Sequence, residues 1–180
     1  MSLQQTLQRV ERDIAAGNLG RARDRLHGLV WQYPDDLSLR ERLAEVYWQL
    51  QFPSMAGCYW YLHEPSTEAR QRAVREFEHA CGNDPLHLLT RLKFRGDPER
   101  LPPYARDKLE RLQRECERKY GRYPVFHATS KRWQFSPPSW RRRVAAAGCV
   151  LALVAFFGLA LFGAGVALRH AIRLLQTGFR

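Results

Sequence analysis

Residues 144–168 read VAAAGCVLALVAFFGLALFGAGVAL, 25 positions without a charged residue or a proline. As one α-helix rising 1.5 Å per residue, the block would reach roughly 37 Å, against a hydrocarbon core of about 30 Å. A helix apolar on every face needs apolar surroundings on every face. A chain of 180 residues has too little other apolar surface to enclose it, so lipid is the expected medium. The sequence therefore predicts one transmembrane helix over residues 144–168.

The flanks fit that reading. Before the block, SPPSWRRR supplies a stiff Pro-containing stretch, an interfacial Trp140 and the cations Arg141, Arg142 and Arg143. After it, Arg169 and Arg173 fall on one side of a short basic amphipathic tail, residues 169–180, that would lie in the far interface. The excess of cations on the N-terminal side, with no apolar signal segment in MSLQQTLQRVERD, places the N-terminal body in the cytoplasm of a single-pass protein. The block holds no ionisable residue, which argues against a transport or proton-relay role. Gly148/Ala152, Ala160/Ala164 and Gly163/Ala167 are small pairs four apart, a spacing that permits self-association of the span.

Charge separates the body from the tail. The formal net charge is +11, but eight of the 29 basic residues and none of the 18 acidic ones lie beyond residue 130. Residues 1–130 therefore carry only +3. A nucleic-acid binder wears its basic stripe on the folded body, so no nucleic-acid partner is expected, and the cationic excess is assigned to anionic lipid.

The body has helical periodicity. Gly17 precedes a segment that puts Ala22, Leu26 and Leu29 on one face, Pro34 stops it, and Asp35-Asp36 offer an N-cap for the next helix. Leu3, Leu7, Val10 and Ile14 form an earlier stripe. A step of 34 carries Ala22 to Ala56, Leu26 to Trp60 and Val10 to Ala44, although Pro34 falls on Glu68. Ala73, Phe77, Ala80 and Pro85 repeat Ala22, Leu26, Leu29 and Pro34 at one and a half periods, a phase break after about Leu62. Gly82 marks a helix end, NDP opens a short helix, and YARDKLERLQRECERKYG forms a charged amphipathic helix with Leu109, Leu112 and Cys116 inward, able to cap the stack.

This order and period resemble the tetratricopeptide repeat, a helix–turn–helix unit. The expected fold is all-α: a tetratricopeptide-like array with a phase break over residues 1–124, a basic Pro-containing linker over 125–143, and one C-terminal transmembrane helix. The string RVERDIAAGNLGRARDRLHGLVWQYPDDLSLRERLAEVYWQL, with AGCYWYL, ACGNDPL, LKFRGD and CERKYGRYP, also resembles an uncharacterised family of small bacterial proteins over residues 1 to about 124, with the tail outside the likeness. That likeness implies the helical fold and a bacterial setting, so that the predicted span would lie in the inner membrane, and it supplies no catalytic residue.

The tetratricopeptide resemblance implies a partner groove lined by the first helix of each pair. Where that family's clamp places Lys and Asn, this chain has Leu7 and Glu11, then Glu41 and Glu45. The reversed charge implies an unknown protein partner offering a basic or apolar segment, with Trp48 as anchor. The expected role is a non-catalytic, membrane-anchored adaptor. The alternative is an accessory subunit of a membrane enzyme whose chemistry lies on another chain.

No catalytic constellation stands out. The six histidines show no metal-ligand spacing beside a Cys or carboxylate cluster, and GxSxG, Walker and GxGxxG motifs are absent. Cys58, Cys81, Cys116 and Cys149 form no CxxC pair and read as reduced thiols. No metal or cofactor is expected. Trp31, Tyr47, Trp48, Tyr59, Trp60 and Tyr61 read mostly as packing, because no basic groove is evident beside them. Arg95-Gly96-Asp97 reads as a coincidental tripeptide in a loop.

Overall fold

Ser2 opens the first helix with a reciprocal cap: its hydroxyl accepts from the Gln5 N–H at 3.3 Å, and the Gln5 side chain accepts from the Ser2 N–H at 3.4 Å. The structure, a computed structural model, describes residues 2–127 and 132–137, together with Val144, Gly148 and Phe156, which are helical. Helix α1 (Leu3–Ala15) ends before Gly17, whose φ of 72° suits glycine. Helix α2 (Leu19–Gln32) stops ahead of Pro34, as expected. Asp36 caps α3 (Leu37–Gln49), accepting from the Ser38 N–H at 2.9 Å. Pro53 opens α4 (Pro53–Trp60) and Thr67 caps α5 (Glu68–Ala80).

The second half uses the same devices. Gly82 and Asn83 turn the chain with positive φ, and Asp84 caps α6 (Pro85–Leu92) through the N–H groups of Leu86 and His87. A 3-10 turn at Pro98–Arg100 leads to α7 (Pro103–Tyr120), which ends on Gly121 at φ 78°. Strands β1 (Pro124–His127) and β2 (Arg132–Phe135) pair antiparallel, with Pro124 opposite Phe135 and His127 opposite Arg132. The Ser136 N–H donates to the Tyr123 carbonyl at 2.8 Å, and the Tyr123 N–H donates back to Ser136 Oγ at 2.9 Å, closing the hairpin's open end. The chain divides into two units, residues 1–137 and 138–180, and α1 to β2 all belong to the first.

Consecutive helices from α1 to α5 pack against one another, and α7 packs on α6. Two cores result. One gathers Val10, Ala22, Leu26, Leu43, Ala44 and Trp60 from α1 to α4; the other joins Cys58, Phe77, Leu89, Leu92, Leu109 and Cys116 from α4 to α7. The inward face read for α2 is fully borne out, with Ala22, Leu26 and Leu29 buried. Val10 is buried, and Leu3, Leu7 and Ile14 pack at the edge of the same core.

Three differences from the sequence expectation are physical. Ala80 is exposed although Ala73 and Phe77 are buried. Helix α5 therefore buries a narrower stripe than α2, because it packs chiefly on the eight-residue α4. Trp31 is 65% exposed and stays out of the core. The stretch read as linker from residue 125 contains most of the hairpin, whose two four-residue strands are too short to show a period. The described part is otherwise helical. No helix among the described residues is long and apolar enough to cross a membrane. The predicted span at 144–168 lies outside them except for Val144, Gly148 and Phe156.

Candidate functional site

The face predicted to take a partner assembles from alternate helices. Glu11 on α1 forms an ion pair with Arg42 on α3. Glu41 on α3 pairs with Arg70 on α5, and Glu45, one turn along, lies 3.7 Å from the same guanidinium. Arg70 sits 5.3 Å from the centroid of the Trp60 ring, and that ring lies 5.9 Å from Trp48 in a tilted contact. The structure thus brings the four predicted residues onto neighbouring parts of one surface. It also supplies what the clamp comparison did not: each glutamate faces an arginine of the same body. Three carboxylates share two guanidiniums, so the patch keeps a small acidic excess.

A second site has the opposite sign. A cavity of about 240 Å³ is bounded by His27, Val30 and Trp31 of α2, Pro34, Arg40 of α3, Tyr59 of α4, Arg91 and Leu92 of α6, and Lys93 and Arg95 beyond it. Helix α3 places Arg40 three, four and seven residues before Leu43, Ala44 and Tyr47, on its buried face. The side chain is 3% exposed. One Nη2 donates to the Leu92 carbonyl at 3.2 Å and the Cys58 carbonyl at 3.5 Å, while Nε donates to nothing among the described residues. Its guanidinium carbon lies 5.1 Å from the Tyr59 ring centroid. No carboxylate among the described residues forms an ion pair with Arg40 or lines the cavity. Burial lowers its pKa, yet a guanidinium stays charged in proteins.

The neighbours hold this cation in a polar but uncharged frame. His27 Nε2 lies 2.7 Å from the Tyr47 hydroxyl and Nδ1 lies 3.3 Å from the Tyr59 hydroxyl. Burial lowers the His27 pKa, so at neutral pH the ring is uncharged, donating through one nitrogen and accepting through the other. Tyr47 and Tyr59 stack at 5.6 Å with their planes 6° apart. Burial raises both phenols above their ordinary range. The Cys58 thiol donates to the Arg91 carbonyl at 3.4 Å, and burial pushes its pKa up to about 11. It is therefore a packed thiol and not a thiolate nucleophile.

The outer wall is built by the segment after α6. Lys93 ends that helix in the left-handed conformation, at φ 46°. Arg95 lays its guanidinium 3.2 Å from the Trp31 ring centroid and 5.1 Å from that of Phe126. At Gly96 a Cβ would meet Asp35 Oδ1 at 2.5 Å and the Pro34 carbonyl at 2.9 Å, so the two loops touch where glycine leaves room. Asp35 accepts from the Asp97 N–H at 2.6 Å and from Arg100 at 3.1 Å. Asp36 alone caps α3; Asp35 fastens the wall. The tripeptide at 95–97 thus has a structural part.

Sequence reasoning missed Arg40, Arg91, Lys93 and Arg95. Two signals were present: RLKFR holds three cations in five residues, and Arg40 shares the helical spacing of Leu43, Ala44 and Tyr47. The expectation that no basic surface accompanies the aromatics is corrected at this point, where four cations stand beside Trp31 and Tyr59. Trp140, Arg141, Arg142, Arg143, Arg169 and Arg173 lie outside the described residues. No group of three or more His, Cys, Asp or Glu among the described residues is placed to hold a metal ion.

A protein-family model described as "Family of unknown function (DUF6584)" matches residues 1–169. The match runs past the body, so the segment up to 169 is part of the family pattern and not an appendage beyond residue 124. No curated protein and no solved structure matches the chain.

Proposed function

The chain belongs to DUF6584, a family of unknown function, and on that premise we propose a non-catalytic adaptor: a tetratricopeptide-like body that receives a protein partner and is held at a membrane by residues 144–168. One observation carries the reading of the body. Neighbouring helices from α1 to α5 pack in order, while ion pairs join alternate helices, Glu11 to Arg42 and Glu41 to Arg70. Side-by-side packing of neighbours with a shared face on every second helix is the geometry of stacked helical hairpins. Helix α5 then takes the place of a third first-type helix, despite the sequence phase break.

On this reading the shared face is the partner surface. Its acidic excess and the half-buried Trp48, backed by the core indole Trp60, suit a segment that is basic or apolar. Tethering adds effective concentration toward any membrane-associated partner without a new contact. The span is supported by the apolar sequence block alone.

Proximity labelling from the N-terminus of the full chain in intact cells tests the proposal. A defined set of membrane-associated proteins is expected, reduced severalfold by the triple variant Glu11→Lys, Glu41→Lys, Glu45→Lys. An unchanged set would move the partner surface off this face.

A further inference from the structure

We propose that the cavity around Arg40 is a binding site for the phosphate group of a small phosphate monoester. Nothing about the adaptor reading requires this site, and it stands on different residues.

Burying Arg40 is costly. A cation removed from water is expensive unless a counter-charge repays the lost hydration. Arg40 is almost fully buried and finds two carbonyls and a phenol ring, but no carboxylate. A stack held together only by packing would be served by an apolar residue at this position, flanked by Leu39 and Leu43. A charge kept in the wall of a cavity is explained by an anion that enters it.

Further cations converge on Arg40. Arg91, Lys93 and Arg95 reach the same cavity from one short segment. The nearby carboxylate of Asp35 is engaged by Arg100 and the Asp97 N–H, and Asp24 is paired with Arg23. Neutral His27 adds no repulsion. Four cations around about 240 Å³ suit a compact dianion better than a single carboxylate, and guanidinium groups match phosphate oxygens in pairs.

The size and lining of the cavity suit the same ligand. The volume lies below the usual range of about 300–1,000 Å³ for whole drug-sized ligands. It accommodates a phosphate and a small body. Trp31, exposed and with Arg95 over its ring, offers aromatic surface for that body.

Calorimetric titration of the full chain in nonionic detergent tests the site with phenyl phosphate, inorganic phosphate and benzoate. Saturable binding is expected for phenyl phosphate, tighter than for either other probe and weakened by added salt. The double variant Arg91→Gln, Lys93→Asn changes two exposed side chains, and Asn tolerates the left-handed backbone at 93. It should weaken phenyl phosphate by about tenfold or more while leaving the melting temperature without ligand unchanged. Arg40→Met should abolish the ligand-induced rise in melting temperature; if that variant fails to fold, the double variant decides. Absence of saturable binding, benzoate binding as tightly as phenyl phosphate, or an unaffected double variant would each overturn the proposal. None of these outcomes bears on the partner face of α1, α3 and α5.

Discussion

A Cβ added to Gly57 on α4 would lie 1.9 Å from the carbonyl oxygen of Ala73 on α5. The two helices meet backbone to backbone at this point. Ala73 has no exposed surface and Gly57 is buried. The contact also joins the two cores, since Ala73 belongs to one and Cys58, beside Gly57, to the other.

Gly57→Ala should therefore separate α4 from α5. Overpacking typically costs about 1–3 kcal/mol, and here the obstacle is backbone that cannot rotate away. The expected result is a melting temperature lower by roughly 5–15 °C, read by circular dichroism of the full chain. An unchanged melting curve would mean that the helices are farther apart than described.

Asp84 ties the last long helix to the one before it. It caps α6 and accepts from Lys119 Nζ and the Tyr120 hydroxyl at the end of α7. The Lys119 and Tyr120 hydrogen bonds, and then the Leu86 and His87 N–H groups, hold its carboxyl well below the usual range. A depressed folded pKa stabilises the native state above the unfolded value of about 4 and loses that contribution as pH falls through the folded value. Asp84→Asn keeps an oxygen for the cap but removes the charge. The variant should melt lower than wild type at pH 7, and the difference should shrink between about pH 4 and pH 2. A constant difference across that window would assign the effect to the cap alone.

Much of the body was legible because its signals are local. Asp36, Asp84 and Gly82 punctuate helices within four residues of themselves, and Ala22, Leu26 and Leu29 face inward at helical spacing. The hairpin was not legible, because PVFH and RWQF are too short for alternation to declare itself. Glu11, Glu41 and Glu45 were picked out by analogy, but their arginine partners lie 25 to 31 residues away and no local rule pairs them. The cavity was hidden for the same reason. Arg40 meets the Leu92 carbonyl across 52 residues, and a charged residue inside RERL reads as solvated surface until the fold closes over it.

A membrane-held adaptor requires that residues 144–168 enter a bilayer. Alkaline carbonate extraction of membranes carrying the full chain measures this directly, beside the variant Leu153→Arg, Leu159→Arg, in which each arginine costs about 2.5–3.5 kcal/mol near the centre of a span. The wild-type chain should stay in the membrane pellet, and the double-arginine variant should be released. Recovery of the wild-type chain in the alkaline supernatant would contradict membrane insertion.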